Sequence, residues 1–346
     1  MREADILQAI GISFPQSASA PLGIGDDAAA IRPRAGQYLL LTTDSLVEGI
    51  HFDLAFCNYF QLGQRAIAVN VSDIAAMGGT PTALLVSLGL TERQRHKEIA
   101  ALYRGMKKEA GPVALVGGNI SASPTFWLSI TLVGEVAPKK MVKRAGACAG
   151  DTLYVTGTLG DAAAGLAILK SGRGDLRNER RYRPLITRYR TPHARQREGA
   201  CLAAEGLVSA MIDLSDGLST DVGHLAEQSG VGMEIDAAQI PISPALRRYV
   251  QRVGRDPIDF ALNGGDDYEL LFAVPPKKQS RLSDLIQRGI INATPIGVVV
   301  SKSRGRRIYI DGQIRPLVAA GYDHCLGNAD TPPARKIDGH RAKVPV

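Results

Sequence analysis

A basic stretch rich in glycine and alanine, residues 138–150 (PKKMVKRAGACAG), interrupts a chain that otherwise alternates apolar runs of strand length with amphipathic segments. The alternation starts afresh beyond it, so the chain has to build two cores rather than one. Its 346 residues agree, because a single hydrophobic core stops growing at roughly 250–300 residues. The expected architecture is α/β (α+β) in two domains, 1–138 and 151–327, joined by 139–150. The polar, basic, proline-containing tail over 328–346 is expected to be disordered.

In the first half, residues 38–43 (YLLLTT) predict a strand running directly into Asp44, which places a carboxylate at the strand end. Residues 65–77 (RAIAVNVSDIAAM) predict a buried helix closed by Gly78-Gly79, with Asp73 among apolar neighbours and in need of a partner. A strand follows over 83–90. Thr91 and Gln94 form a capping-box pattern for a helix that aligns Ile99, Leu102 and Met106 and ends at Gly111. Residues 113–116 predict a strand entering Gly117-Gly118-Asn119, and residues 126–133 another.

The second half opens with a strand over 152–156, a Gly157–Gly160 turn and a helix over 162–169. Residues 173–197 hold nine arginines with few interleaved aromatics, which reads as a solvated helical face in preference to a nucleic-acid patch. Further strands are expected over 210–214, ending at Asp213, and over 231–236, 268–274 and 307–310. Asp311-Gly312 is a hairpin turn signal.

No apolar run approaches the ~18 residues of a membrane span, and the first residues carry acids without an apolar signal core, so the cytoplasm is the expected compartment. Cys57, Cys148, Cys201 and Cys325 lack CxxC spacing, which argues against zinc clusters and disulfide frameworks. A net charge of +7 permits polyanionic partners without choosing among them.

The chemistry lies in where the acids fall. Asp26-Asp27, Asp44, Asp73, Asp213, Asp216 and Asp266-Asp267 all sit beside Gly, Ser or Thr at predicted element ends. Any one of them is explained equally well as a helix cap or a turn former. Together, with almost no Cys or His among them, they form the hard oxygen donor set that suits several Mg²⁺ ions and a phosphate substrate. Gly23-Ile-Gly25-Asp-Asp-Ala28 fits a dinucleotide fingerprint only formally, since no strand precedes it and its acids would repel a pyrophosphate. The chain contains no Walker A motif, kinase HRD or DFG, G-x-S-x-G or H-E-x-x-H, so nucleotide chemistry has to use another scaffold.

GIGDDAA, TTDSLVEGIHF, AIAVNVSDIAAMGGTP, VGGN, RAGACAGDTLYVTGTLGDAAAGL, IDLSDGLSTD, GGDDYELLF and GYDH, in this order from about residue 20 to 325, resemble the thiamine-monophosphate kinase family. The resemblance extends to the aminoimidazole-ribonucleotide synthetase-like superfamily, whose selenophosphate and hydrogenase-maturation branches carry reactive cysteines where this chain has none. It implies a mixed N-terminal sheet with helices on one face that pairs in a homodimer, a C-terminal α/β domain, and ATP-dependent phosphorylation of thiamine monophosphate. By the same resemblance, Asp27, Thr42, Thr43, Asp44, Asp73, Asn119, Asp213 and Asp216 would hold magnesium ions. Tyr103, Gly118, Asn119, Arg144 and Ser215 would contact ATP, and His51, Asp266 and Tyr322 would face the thiamine substrate.

Each assignment has a plainer counterpart: Tyr103 lies at helical spacing beside Leu102 and Met106 and reads equally as core, and His51 as a hydrogen-bonded loop histidine. Asn119 stands where many relatives place Asp, and also suits a left-handed turn. Two other functions compete with the kinase: a sister ATP-dependent synthetase with another acceptor, and a basic nucleic-acid-binding protein using 173–197. No nucleic-acid or membrane partner is expected under the kinase reading.

Overall fold

The computed structural model describes residues 31–172 and 180–321. In the first half, β1 (Tyr38–Val47), α1 (Tyr59–Ala76), β2 (Thr80–Leu90), α2 (His96–Ala110), β3 (Ala114–Ala122) and β4 (Trp127–Val136) follow in order. The strands form a mixed sheet, β1-β4-β2-β3, in which, among the described residues, only β2 and β3 run parallel. A parallel pair needs a crossover, and α2 supplies it. Strand alternation turns Leu84, Val86 and Leu88 of β2 and Leu128, Ile130 and Leu132 of β4 onto the buried stripes of α1 and α2. Both helices therefore cover one face, and Leu39 and Leu41 of β1 are exposed on the other.

The second half contains β5 (Thr152–Thr156), α3 (Asp161–Ser171), α4 (Arg183–Arg190), α5 (Gln196–Glu205), β6 (Ala210–Asp213) and α6 (Leu218–Ser229). It continues with β7 (Gly232–Asp236), α7 (Pro244–Val253), α8 (Pro257–Asn263), β8 (Leu270–Val274), α9 (Gln279–Gln287), β9 (Ala293–Val300), β10 (Arg306–Ile310) and β11 (Gln313–Pro316). Its sheet runs β11-β10-β7-β9-β5-β8-β6, with β7 and β10 the only parallel neighbours among the described residues. Both faces are covered: Leu153, Val155 and Leu271 pack toward α3, α6 and α7, while Tyr154, Leu270 and Phe272 pack toward α5 and α9. The halves meet where α5 crosses α1. There a Cβ on Gly199 would stand 2.2 Å from the Ala75 carbonyl oxygen, so only glycine permits the approach.

Several sequence expectations need correction. Strand β1 continues to Val47, placing Asp44 inside it, because Leu40, Thr42, Asp44 and Leu46 keep one alternating face and pairing with β4 extends to Trp127. Strand β3 runs straight through Gly117-Gly118-Asn119, and none of the three has positive φ, so the left-handed-turn reading of Asn119 is wrong. The Thr91–Gln94 hydrogen bonds form but close a turn, and α2 starts at His96, where the Arg95 N–H donates to Glu98. Helix α1 begins at Tyr59, earlier than expected, capped by the reciprocal pair Asn58 and Gln61. The described part of the arginine-rich stretch is a solvated face only in part: Arg180, Arg181, Arg183 and Arg197 are exposed, but Leu185, Ile186 and Tyr189 are core residues, and Arg188 and Arg195 turn inward to the buried carboxylate of Glu269.

Other expectations hold. Strand β6 ends at Asp213, and Asp311-Gly312 makes the two-residue turn between β10 and β11, both residues at positive φ.

Candidate active site

Helix α1 threads its polar residues into the seam between the halves. It is rich in Ala, Val and Ile, yet carries Arg65, Asn70, Ser72 and Asp73, of which Arg65, Asn70 and Ser72 are fully buried. Polar groups at such positions need partners. The Asn70 side-chain oxygen accepts from the Asp44 backbone N–H at 3.1 Å, fixing the middle of β1. Asp73 accepts from the Thr42 hydroxyl, and the Ser72 hydroxyl donates to Asp213 at 2.7 Å across the seam.

These contacts gather Asp44, Asp73 and Asp213 into one acidic group. Burial raises the Asp73 pKa against the Thr42 hydrogen bond and the Arg144 charge. Burial, then the neighbouring Asp73, pushes Asp213 up to about 7, with Asp44 adding to the effect and Ser72 and Arg144 opposing it. Beside them, the carboxylates of Asp216 and Asp221 and the His224 ring bring ligand atoms within 4.8 Å of one another. Burial, with Asp213 and then Asp216 nearby, pushes Asp221 up to about 8. Several carboxylates held close in a partly dry seam, with the Arg144 charge acting on two of them, suit hard divalent cations. Magnesium therefore fits the donor set.

The loop before β8 lies against this group. The Asp266 and Tyr268 N–H groups donate to the carbonyls of Ser215 and Leu214, both at 2.8 Å. Gly265, Asp266 and Tyr268 all have positive φ, a backbone state that for a bulky residue such as Tyr268 costs about 1–3 kcal/mol. Asp266 pairs with Arg65 at 2.7 Å and accepts from the Tyr268 hydroxyl at 2.9 Å.

The described residues among those expected at the site do not all come together. Thr42, Asp44, Asp73, Arg144, Asp213, Ser215, Asp216 and Asp266 belong to the seam. His51 stands in the loop after β1, where its Nδ1 accepts from the Val47 N–H at 3.1 Å. Thr43 and Asn119 point to the other face of the first sheet: the Thr43 hydroxyl donates to the Ile130 carbonyl, and Asn119 reaches Ser121. The pleat dictates this for Thr43, because adjacent residues of a strand face opposite ways. Gly118 is required by backbone proximity, since a Cβ there would stand 1.9 Å from the Val86 carbonyl oxygen. Tyr103 is 2% exposed in the core under α2, which favours its structural reading. Asp27 and Tyr322 lie outside the described residues. Asn70, Ser72, Asp221 and Arg65 escape the sequence reading, although polar residues in so apolar a helix are themselves a signal.

Two family models match the chain: AIR synthase related protein, N-terminal domain, over residues 25–136, and its C-terminal domain over residues 149–310. The thiamine-monophosphate kinase of Aquifex aeolicus (strain VF5) is 38% identical over 296 residues, covering 84% of this chain and 89% of that protein. This chain belongs to the thiamine-monophosphate kinase family. Among solved family structures, the kinase from Stenotrophomonas maltophilia K279a superposes with a TM-score of 0.79 at 35% identity, covering 90% of this chain and 98% of the other. A second, AaThiL complexed with AMPPCP and TMP, gives 0.74 at 36% identity and covers 94% and 99%. The two-domain fold expected from the resemblance is thus the fold of the family. No helix among the described residues is long and apolar enough to cross a membrane.

Proposed function

We propose that this chain transfers the γ-phosphoryl group of ATP directly to thiamine monophosphate, forming thiamine diphosphate and ADP. The observation that carries the reading is the carboxylate group assembled where α1 meets the end of β6 and the start of α6, in a chain of this family. The acceptor is a phosphate oxygen already ionised at neutral pH, so no strong general base is required. The barrier is instead repulsion between two polyanions. Magnesium ions, when bound, supply charge neutralisation and in-line alignment. Asp27, Thr42, Asp44, Asp73, Asp213 and Asp216 would hold them, and Asp221 joins that set by its position.

The remaining roles are those the family resemblance implies, and the positions of Arg144, Ser215 and Asp266 beside the carboxylates support them. Arg144, whose charge acts on both Asp73 and Asp213, faces the polyphosphate together with Ser215. His51, Asp266 and Tyr322 receive the thiamine substrate. Asn119 and Thr43 contribute only where a second copy covers the exposed outer sheet face, which carries Leu41 at 71% exposure, and Gly118 beside them contributes through its backbone. A homodimer is the assembly this reading requires. It also takes residues 1–138 and 151–327 as the two units, 139–150 as their connection, and the cytoplasm as the compartment.

The test is incubation with ATP, Mg²⁺ and thiamine monophosphate, with the products resolved by mass. Thiamine diphosphate and ADP in equal amounts are expected. ATP consumption without thiamine diphosphate would point to a sister synthetase and overturn the reading.

A further inference from the structure

Arg65 is an unusual residue to find on an apolar helix. Its side chain is 4% exposed and crosses from the first half into the second. One guanidinium nitrogen, Nη2, pairs with Asp266 Oδ2 at 2.7 Å, and Nη1 donates to the Tyr189 carbonyl at 2.5 Å. The guanidinium carbon lies 4.8 Å from the centre of the Tyr189 ring. A planar fork held at three points has one orientation, and it passes that orientation to the carboxylate it grips.

The second carboxylate oxygen of Asp266 is bound as well, by the Tyr268 hydroxyl. Asp266 nonetheless stays 32% exposed, and each carboxylate oxygen has a second lone pair to offer. Its negative charge is compensated by an arginine that cannot lose its proton, while its capacity to accept hydrogen bonds survives. Such a group distinguishes an N–H donor from its absence more sharply than it distinguishes a cation from a neutral ring.

The same helix carries Ser72, which holds Asp213. Seven residues make two turns, so Arg65 and Ser72 share a face about 10 Å apart along the axis. One rigid element therefore sets the spacing between the carboxylate group that faces phosphate and the carboxylate that faces the far end of the acceptor.

We propose that Arg65 is a positioning residue that makes Asp266 an aimed, charge-compensated hydrogen-bond acceptor, so that the site selects the amino group of the acceptor's ring and not its positive charge. This rests on thiamine monophosphate being the acceptor. Two analogues separate the alternatives: one with the pyrimidine amino group replaced by a carbonyl, the other with the thiazolium replaced by an uncharged thiophene. For the parent, kcat/KM should fall at least about tenfold with the first and less than about threefold with the second, since a ring carbonyl sets one acceptor against another where the site is built to meet a donor.

Arg65→Gln should raise the KM for thiamine monophosphate about tenfold, leave the KM for ATP within twofold, and erase the discrimination against the carbonyl analogue. Arg65→Lys, which keeps the charge without the fork, should restore the melting temperature but not that discrimination. It keeps the test alive should Arg65→Gln fold poorly. A parent that selects on charge, or an Arg65→Gln enzyme with unchanged KM for thiamine monophosphate, would overturn the proposal alone. A parent that makes no thiamine diphosphate would overturn the functional reading beneath it and the proposal with it.

Discussion

Replacing Glu269 by Gln should destabilise the second domain more than any surface change. Its side chain is fully buried, and its oxygens accept from Arg195 Nε at 2.5 Å, Arg195 Nη2 at 2.7 Å, the Thr156 hydroxyl at 2.6 Å and Arg188. The two arginine side chains are 18% and 21% exposed, so neither can recover full hydration when the carboxylate charge is removed. Breaking a buried pair in this way costs about 3–5 kcal/mol. At about 2–4 °C per kcal/mol for a domain of this size, the second-domain melting transition should fall by about 6–20 °C. Differential scanning calorimetry reads the shift directly. The triple variant Glu269→Met, Arg188→Met, Arg195→Met should recover most of it, because an apolar replacement of a whole network leaves no uncompensated charge. A Glu269→Gln shift below about 2 °C would refute the reasoning, since it corresponds to less than about 1 kcal/mol.

Asp44→Asn and Asp73→Asn should each abolish turnover with the melting temperature nearly unchanged; a folded variant of near-normal activity would remove that residue from the metal set. Asn119→Asp should lower the Mg²⁺ concentration for half-maximal rate and Asn119→Ala should raise it, whereas overlapping titrations would deny the side chain a metal role. Asp267 is held well above the usual carboxylate range by burial, with the Gly160 N–H and Arg188 opposing and Asp161 and Glu269 adding to it. The folded state then retains a proton that the unfolded state has released, so this group's contribution to stability is present below about pH 4 and is lost as pH rises through the raised folded pKa. Asp267→Asn should therefore flatten the decline of melting temperature between pH 5 and 8, and an unchanged slope would count against the protonated reading.

How far the sequence reveals this molecule depends on how local each determinant is. The strands at 152–156 and 210–213, and the hairpin at Asp311-Gly312, follow from runs of a few residues and are visible directly. Strand β9 has no counterpart in the sequence reading, and it contains Pro295, a residue that central strands disfavour. The structure accommodates it beside a register shift opposite Leu153 and Tyr154. Gly117-Gly118 reads as a breaker, yet Gly118 is there to let β3 approach β2. The acids of the seam are legible as a group, but the residues that hold them are not. Ser72 meets Asp213 across 141 positions and Arg65 meets Asp266 across 201, distances at which no spacing rule operates.

The most direct test of the central claim is to follow the γ-phosphorus of ATP. With ATP radiolabelled at that position, Mg²⁺ and unlabelled thiamine monophosphate, the account predicts label in the terminal phosphate of thiamine diphosphate, with none released as inorganic phosphate and none transferred by Asp73→Asn. Label appearing only as inorganic phosphate, as a synthetase that spends ATP to activate another acceptor would release it, would contradict the account.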